Sequence, residues 1–124
     1  MNNTAASSSL VCRLGELQDP DSLGTTLEQD GRMYDVFVVR RGQQAYCYLN
    51  RCPHAGSPLD WMPDQFLSLD RRYIQCATHA ALFRIEDGVC IAGPCSGDAL
   101  VQVPVMVEDG KVILPAGGIP TGGT

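Results

Sequence analysis

Histidine is nearly absent from this chain, with two among 124 residues, and basic residues are few, nine Lys and Arg against fourteen Asp and Glu, for a net charge of −5. Binding to a phosphate backbone rests on clustered Lys and Arg, so an acidic chain with scattered basic residues does not suit nucleic acid. A protein partner with a basic surface suits it better. No apolar run approaches the roughly 18 residues of a membrane span, because Arg, Asp or Pro interrupts each one. Met1 to Ser9 contains neither a basic segment nor an apolar core, so it does not read as a secretory signal and a cytoplasmic protein is expected. No window of about a dozen residues shows clean helical periodicity, no internal repeat is visible, and the length suits one domain with a modest core.

What the chain has instead is a series of short apolar or alternating runs: Leu10 to Leu17, Asp35 to Arg40, Ala45 to Leu49, Phe66 to Leu69, Tyr73 to Gln75, Leu82 to Ile85, Leu100 to Val107 and Val112 to Leu114. These read as strands. Turn residues separate them at Arg41-Gly42, Asp70-Arg71-Arg72, Asp87-Gly88 and Asp109-Gly110, the last two being type I′ hairpin signals. The fold class predicted is all-β and mostly antiparallel, with a turn of helix possible within Asp19 to Glu28. The folded domain is expected over 10–115. Residues 1–9 and the Pro- and Gly-rich stretch 116–124 are expected to be flexible termini.

Six cysteines are many for a cytoplasmic chain of this size, where metal binding or redox chemistry is commoner than structural disulfides. Cys52-Pro53-His54 and, after 21 intervening residues, Cys76-Ala77-Thr78-His79 form a C-x-H and C-x-x-H pair. A Cys and a His one or three positions apart at a loop tip can turn their donor atoms toward a common centre. Two such loops offer two thiolates and two imidazoles, a set that suits either zinc or an iron-sulfur cluster. Turn-forming residues accompany both: Pro53, Gly56 and Pro58 at the first, and Ile91-Ala92-Gly93-Pro94 after the second. Cys12, Cys47, Cys90 and Cys95 read as small apolar packing residues, although Cys90 and Cys95 flank Gly93-Pro94, from where a thiol could reach the surroundings of a bound metal.

This pattern resembles the Rieske family, and the resemblance extends over most of residues 10–114. Cys52-Pro53-His54-Ala55-Gly56-Ser57-Pro58-Leu59 is similar to the first cluster loop of Rieske ferredoxins, Gly93-Pro94 to the family's proline loop, and Val105 to Val112 to its terminal hairpin. The resemblance implies stacked antiparallel sheets with the cluster-binding loops at one tip. It also implies one [2Fe-2S] cluster, with Cys52 and Cys76 on one iron and His54 and His79 on the other. Neutral imidazoles in place of two thiolates lower the negative charge on such a cluster and raise its potential.

Departures from the pattern refine the expectation. Respiratory Rieske proteins carry one further Cys in each ligand loop, joined as a disulfide, where this chain has Ser57 and Thr78. High-potential members have a Ser and a Tyr that donate hydrogen bonds to sulfur, where this chain has Ala81 and Phe83. Without those donors the reduced cluster is less stabilised, placing the potential in the lower part of a span of roughly −150 to +300 mV. The spacer between the loops is long. Its insertion, Asp60 to Phe66, holds the single Trp61 and would cover the cluster, form a docking surface, or fold back as core.

The resemblance therefore implies an electron-transfer protein without catalytic residues, a monomer passing single electrons from a reductase to a partner such as a terminal oxygenase. A catalytic oxygenase subunit needs a mononuclear iron site of two histidines and a carboxylate, and both histidines here sit in the cluster motif. The alternative is a zinc-binding or redox-inert accessory subunit using the same four residues for stability.

Overall fold

The computed structural model describes residues 9–53, 56–60, 62–77 and 80–120. Among these, ten strands form three antiparallel sheets. The first sheet joins β1 (Ser9–Arg13), β10 (Lys111–Leu114) and β9 (Met106–Glu108) in the order β1-β10-β9. The second joins β2 (Asp21–Gln29), β3 (Arg32–Arg41), β4 (Gln44–Leu49) and β8 (Gln102–Val103) in the order β2-β3-β4-β8. The third joins β5 (Tyr73–Gln75), β6 (Leu82–Arg84) and β7 (Cys90–Ala92).

The run Val36-Phe37-Val38-Val39 explains the stacking. Successive strand residues face opposite sides of a sheet, and all four are fully buried, so β3 is covered on both faces. Val36 and Val38 pack with Cys12, Cys47, Val112 and Leu114 of the first core, whereas Phe37 and Val39 pack with Tyr48, Ile74, Phe83 and Cys90 of the second. The second sheet is thus the middle layer, in line with the stacked antiparallel arrangement expected. Among the described residues no helix is long and apolar enough to cross a membrane.

Several local expectations are corrected. No helical turn forms within Asp19 to Glu28: β2 occupies nearly all of that stretch, pairing with β3 from Asp21↔Arg40 to Gln29↔Arg32. The pairing is set by Asp30-Gly31, both left-handed at φ 54° and 79°, the geometry of a type I′ hairpin. Asp109-Gly110, at φ 52° and 73°, is the same device, as expected. Asp87-Gly88 is not, since only Gly88 is left-handed and the link is a longer loop closed by Gly88 N–H donating to the Arg84 carbonyl at 2.8 Å. Phe66 to Leu69 gives one isolated bridge, Leu67↔Ile74. Leu10 to Leu17 divides into β1 and a 3-10 turn at Leu14–Glu16. Leu100 to Val107 splits into β8 and β9 around Pro104, which has no N–H for the ladder.

The insertion after the first loop is strapped to the middle sheet. The Ser22 hydroxyl donates to the Asp64 carbonyl at 2.7 Å and accepts from Phe66 N–H at 3.2 Å, while the Asp64 carboxylate accepts from Gly24 N–H at 2.8 Å. The Phe66 ring stacks on Phe37 with centroids 4.3 Å apart and lies over Gly24, where a Cβ would meet the ring at 3.2 Å. At the other end, Ile119 is buried and exchanges two hydrogen bonds with the Gln29 side chain, each 2.9 Å. Packing therefore reaches beyond residue 115.

Candidate metal centre

Asn50 organises the first loop as the chain leaves β4. Its N–H donates to the Asp35 carbonyl at 2.9 Å, its Oδ1 accepts from Leu59 N–H at 2.7 Å, and its Nδ2 donates to the Asp60 carboxylate at 3.1 Å. One amide side chain thus holds the two ends of the loop together. Between them, Cys52 N–H donates to the Ser57 carbonyl at 2.8 Å and Gly56 N–H to the Cys52 carbonyl at 2.7 Å. Gly56 is left-handed at φ 73°, a conformation without steric cost only for glycine. Asn50 was not singled out by sequence reasoning, although an Asn at a strand end two residues before the first Cys is a turn-forming signal.

The second loop closes on itself through Cys76 N–H donating to the Ala81 carbonyl at 2.9 Å, with Ala80 left-handed at φ 53°. Ala77 N–H donates to the Leu59 carbonyl at 2.9 Å, which ties the second loop to the first. Cys52 and Cys76 are both buried and belong to one apolar cluster with Leu59, Ala81, Phe83, Cys90 and Cys95. The structure therefore brings two of the four expected ligands to the base of two joined loops. His54 and His79 lie outside the described residues, as do Thr78 and Trp61. Among the described residues, no three or more His, Cys, Asp or Glu side chains gather into a metal site.

A third segment packs on these loops. Gly93, at φ 107°, lies so close to Ala81 that a Cβ on it would stand 2.9 Å from the Ala81 Cα and Cβ. The Sγ atoms of Cys90 and Cys95 are 2.9 Å apart, and the Cys90 thiol also faces the Ala92 carbonyl at 3.2 Å. Burial, first, and then the hydrogen bond and charge of Cys90 push the Cys95 thiol up to about 12, with the charge of Cys52 adding to the effect. Ala81 and Phe83 are fully buried and offer no side-chain donor. Of the inserted residues, Phe66 is core while Met62 is 53% exposed.

The donor chemistry fits an iron-sulfur cluster. Two thiols stand in an apolar setting, braced by backbone hydrogen bonds, at the ends of loops whose remaining candidates are the two histidines of the chain.

Comparison with known proteins agrees. The pattern of the Rieske [2Fe-2S] domain family matches residues 7–107. Among solved structures, the ferredoxin of carbazole 1,9a-dioxygenase from Nocardioides aromaticivorans IC177 is similar at 25% identity and TM-score 0.68, covering 89% of this chain and 98% of its own. The Sphingomonas yanoikuyae B1 ferredoxin shares the fold at 23% identity and TM-score 0.66, over 88% and 98% of the two chains. The terminal oxygenase of carbazole 1,9a-dioxygenase from Novosphingobium sp. KA1 contains the fold as a part, at 22% identity and TM-score 0.70, over 90% of this chain and 30% of that one. No curated protein sequence matches the chain. By the span of its family match, the chain belongs to the Rieske [2Fe-2S] domain family.

Proposed function

We propose that this chain is a one-electron carrier that holds one [2Fe-2S] cluster through Cys52, His54, Cys76 and His79 and passes electrons from a reductase to a terminal oxygenase. The carrying observation is the pair of buried cysteines at the base of two loops joined by the Ala77 to Leu59 hydrogen bond. Each of these cysteines is followed by a histidine at ligand spacing.

The cluster, when bound, takes up and releases one electron. The chain's own residues hold it and set its surroundings. Cys52 and Cys76 supply thiolates from the apolar side. The histidines, further along each loop, supply neutral imidazoles that lower the net negative charge. Asn50 and the Cys76 to Ala81 hydrogen bond tie together the ends of the loops that carry these residues.

The fold alone does not separate a carrier from an oxygenase, since it also occurs as 30% of an oxygenase chain. The histidine count of these 124 residues supports a carrier. With two histidines in the whole chain, a cluster that uses both leaves none for a mononuclear iron site. Ferredoxin and oxygenase of the carbazole 1,9a-dioxygenase system form a complex, and the net charge of −5 here suits steering toward a basic partner surface. A monomeric cytoplasmic protein built as one domain over about 10–115, with Ile119 packed onto it, completes the reading.

The test is electron paramagnetic resonance of the dithionite-reduced protein, with iron and zinc content. A rhombic signal with the low average g of mixed Cys/His ligation and about two irons per chain is expected, and His79→Ala should lose it. A silent protein holding one zinc and no iron overturns the reading.

A further inference from the structure

Four cysteines stand outside the proposed ligand set, and two of them meet. Cys90 opens β7 and Cys95 follows five residues later; both are buried, with their sulfurs 2.9 Å apart. That is within about 0.9 Å of the roughly 2.05 Å of an S–S bond. The backbone brings them together. Cys90 N–H donates to the Asp98 carbonyl at 2.8 Å, Gly97 N–H to the Cys90 carbonyl at 3.2 Å, and Asp98 N–H to the Cys95 carbonyl at 2.8 Å. The Ser96 hydroxyl closes the inner turn on the Gly93 carbonyl at 2.9 Å.

The cover over the pair is thin. Gly93, Pro94, Ser96, Gly97 and Asp98 are all exposed, and Cys95 is the buried residue among them. A short exposed loop opens locally at small cost compared with global unfolding, so the thiols are shielded at rest and reached during opening. The same segment touches the site, through Gly93 on Ala81 and through the shared core of Cys90, Cys95, Cys52 and Cys76.

We propose that Cys90 and Cys95 are a reversible dithiol–disulfide pair that braces the segment packed on the second ligand loop, with a small-molecule disulfide of the glutathione class as oxidant. In the open loop, the Cys90 thiolate attacks one sulfur of the oxidant, forming a mixed disulfide and releasing one thiolate, which takes up the proton Cys90 gave up. The Cys95 sulfur then attacks the Cys90 sulfur, losing its proton as the second small thiol leaves. Two protein thiols become one disulfide, and the two electrons they give up reduce one small disulfide to two thiols. The cluster takes no part in this exchange. The bond restricts the Cys90 to Cys95 segment and so holds Gly93 against Ala81. The pairing itself is independent of cluster ligation, whereas its effect on the cluster rests on the function proposed above.

The experiment equilibrates the intact holoprotein anaerobically in graded ratios of reduced to oxidised glutathione, quenches in acid, and alkylates under denaturing conditions. Trypsin leaves Cys90 and Cys95 as the two cysteines of a single peptide, Ile85 to Lys111. At oxidising ratios that peptide should lose both alkyl groups and appear lighter than its dithiol form by two hydrogens. Cys90→Ser should keep Cys95 alkylated or glutathione-bound throughout. Iron release to a chelator should be several-fold slower from the oxidised wild type than from the reduced, and the same in both states for Cys90→Ser. Two alkyl groups at every ratio, or a glutathione adduct as the final product, overturns the pairing. A bond that forms without slowing iron release overturns the bracing role. Iron content of the untreated sample reports separately on the cluster.

Discussion

Gly93 and Ala81 are packed backbone to backbone: a Cβ on Gly93 would stand 2.9 Å from both the Cα and the Cβ of Ala81, and Gly93 is held at φ 107°. Neither distance nor angle suits a side chain. Gly93→Ala therefore faces a contact with main-chain atoms that cannot rotate away and a backbone angle that L residues rarely adopt. The expected loss is about 1–3 kcal/mol. It should appear as a lower urea midpoint together with reduced iron per chain, because the contact lies on the second ligand loop. Gly97→Ala, also at positive φ but with no atom near its Cβ, should lower the midpoint less and leave iron content unchanged.

Ala81, packed against Gly93, and Phe83 are both fully buried and lack a side-chain donor. Ala81→Ser places a donor at a buried position next to the proposed cluster, and Phe83→Tyr adds a second two residues on. A hydrogen bond to sulfur strengthens as the cluster becomes more negative. Each donor should thus raise the midpoint potential, by about 60 mV for every 1.4 kcal/mol of preference for the reduced state. Square-wave voltammetry of the two variants measures this. An unchanged or lower potential would show that these positions do not face the sulfurs.

The insertion depends on one hydroxyl. Ser22 is the buried polar side chain that both donates to Asp64 and accepts from Phe66 N–H. Ser22→Ala leaves a buried N–H and a carbonyl without that partner, at a cost of about 1–3 kcal/mol. Urea denaturation should show it, whereas Thr26→Ala, exposed on the same strand, should change stability by less than about 0.5 kcal/mol.

Much of this was legible in the sequence because it is written in local signals. Asp109-Gly110 specifies its hairpin through left-handed residues, the apolar run within Asp35 to Arg40 reads as a strand, and Cys52 and Cys76 sit in turn-rich contexts. The strand β2 was hidden because its residues, with Gly24 and two threonines, carry weak alternation. Its identity comes from pairing with β3 and from the Asp30-Gly31 turn. The strap of Ser22, Gly24 and Asp64 joins residues about 40 positions apart, a separation no window along the chain can sense. The meeting of Cys90 with Cys95 likewise depends on the return of the chain at Gly97 and Asp98, so single-residue packing preference was the reading available.

The first core predicts an alkaline limit to stability. Burial, with Glu16 adding, raises Cys12 to about 11, and burial, with Cys12 adding, raises Cys47 to about 12 against an ordinary 9.0. Because the folded values are raised, the stabilisation from keeping these thiols protonated is complete below pH 9 and is lost as pH rises toward 11–12. In that window the unfolded chain has released protons that the folded chain retains, so stability falls by about 1.4 kcal/mol per pH unit for each thiol. Denaturation midpoints between pH 8 and pH 11 should show this slope. Cys12→Ala with Cys47→Ala, although less stable at pH 7 from lost packing, should show a shallower one.

Leu69 is the most exposed apolar side chain among the described residues, at 98%, and its place explains why that matters. It projects from a turn held by Arg71 N–H on the Ser68 carbonyl and by the Ser68 hydroxyl on Asp70. With Leu67, Gln75 and Ala77 it lines a recess of about 200 Å³, and Ala77 is the residue that follows Cys76. An exposed apolar side chain on this hairpin turn, lining a recess that reaches Ala77, offers a partner an apolar contact on this face. Leu69→Ser removes nothing from either core, so stability and midpoint potential should match the parent. Oxygenase turnover at limiting carrier should instead show an apparent KM raised about tenfold, corresponding to roughly 1.4 kcal/mol of lost docking energy, with the rate at saturation retained. An unchanged KM would place the partner elsewhere on the surface, whereas a fall in the saturated rate with KM unchanged would mean that Leu69 acts on the electron-transfer geometry rather than on docking.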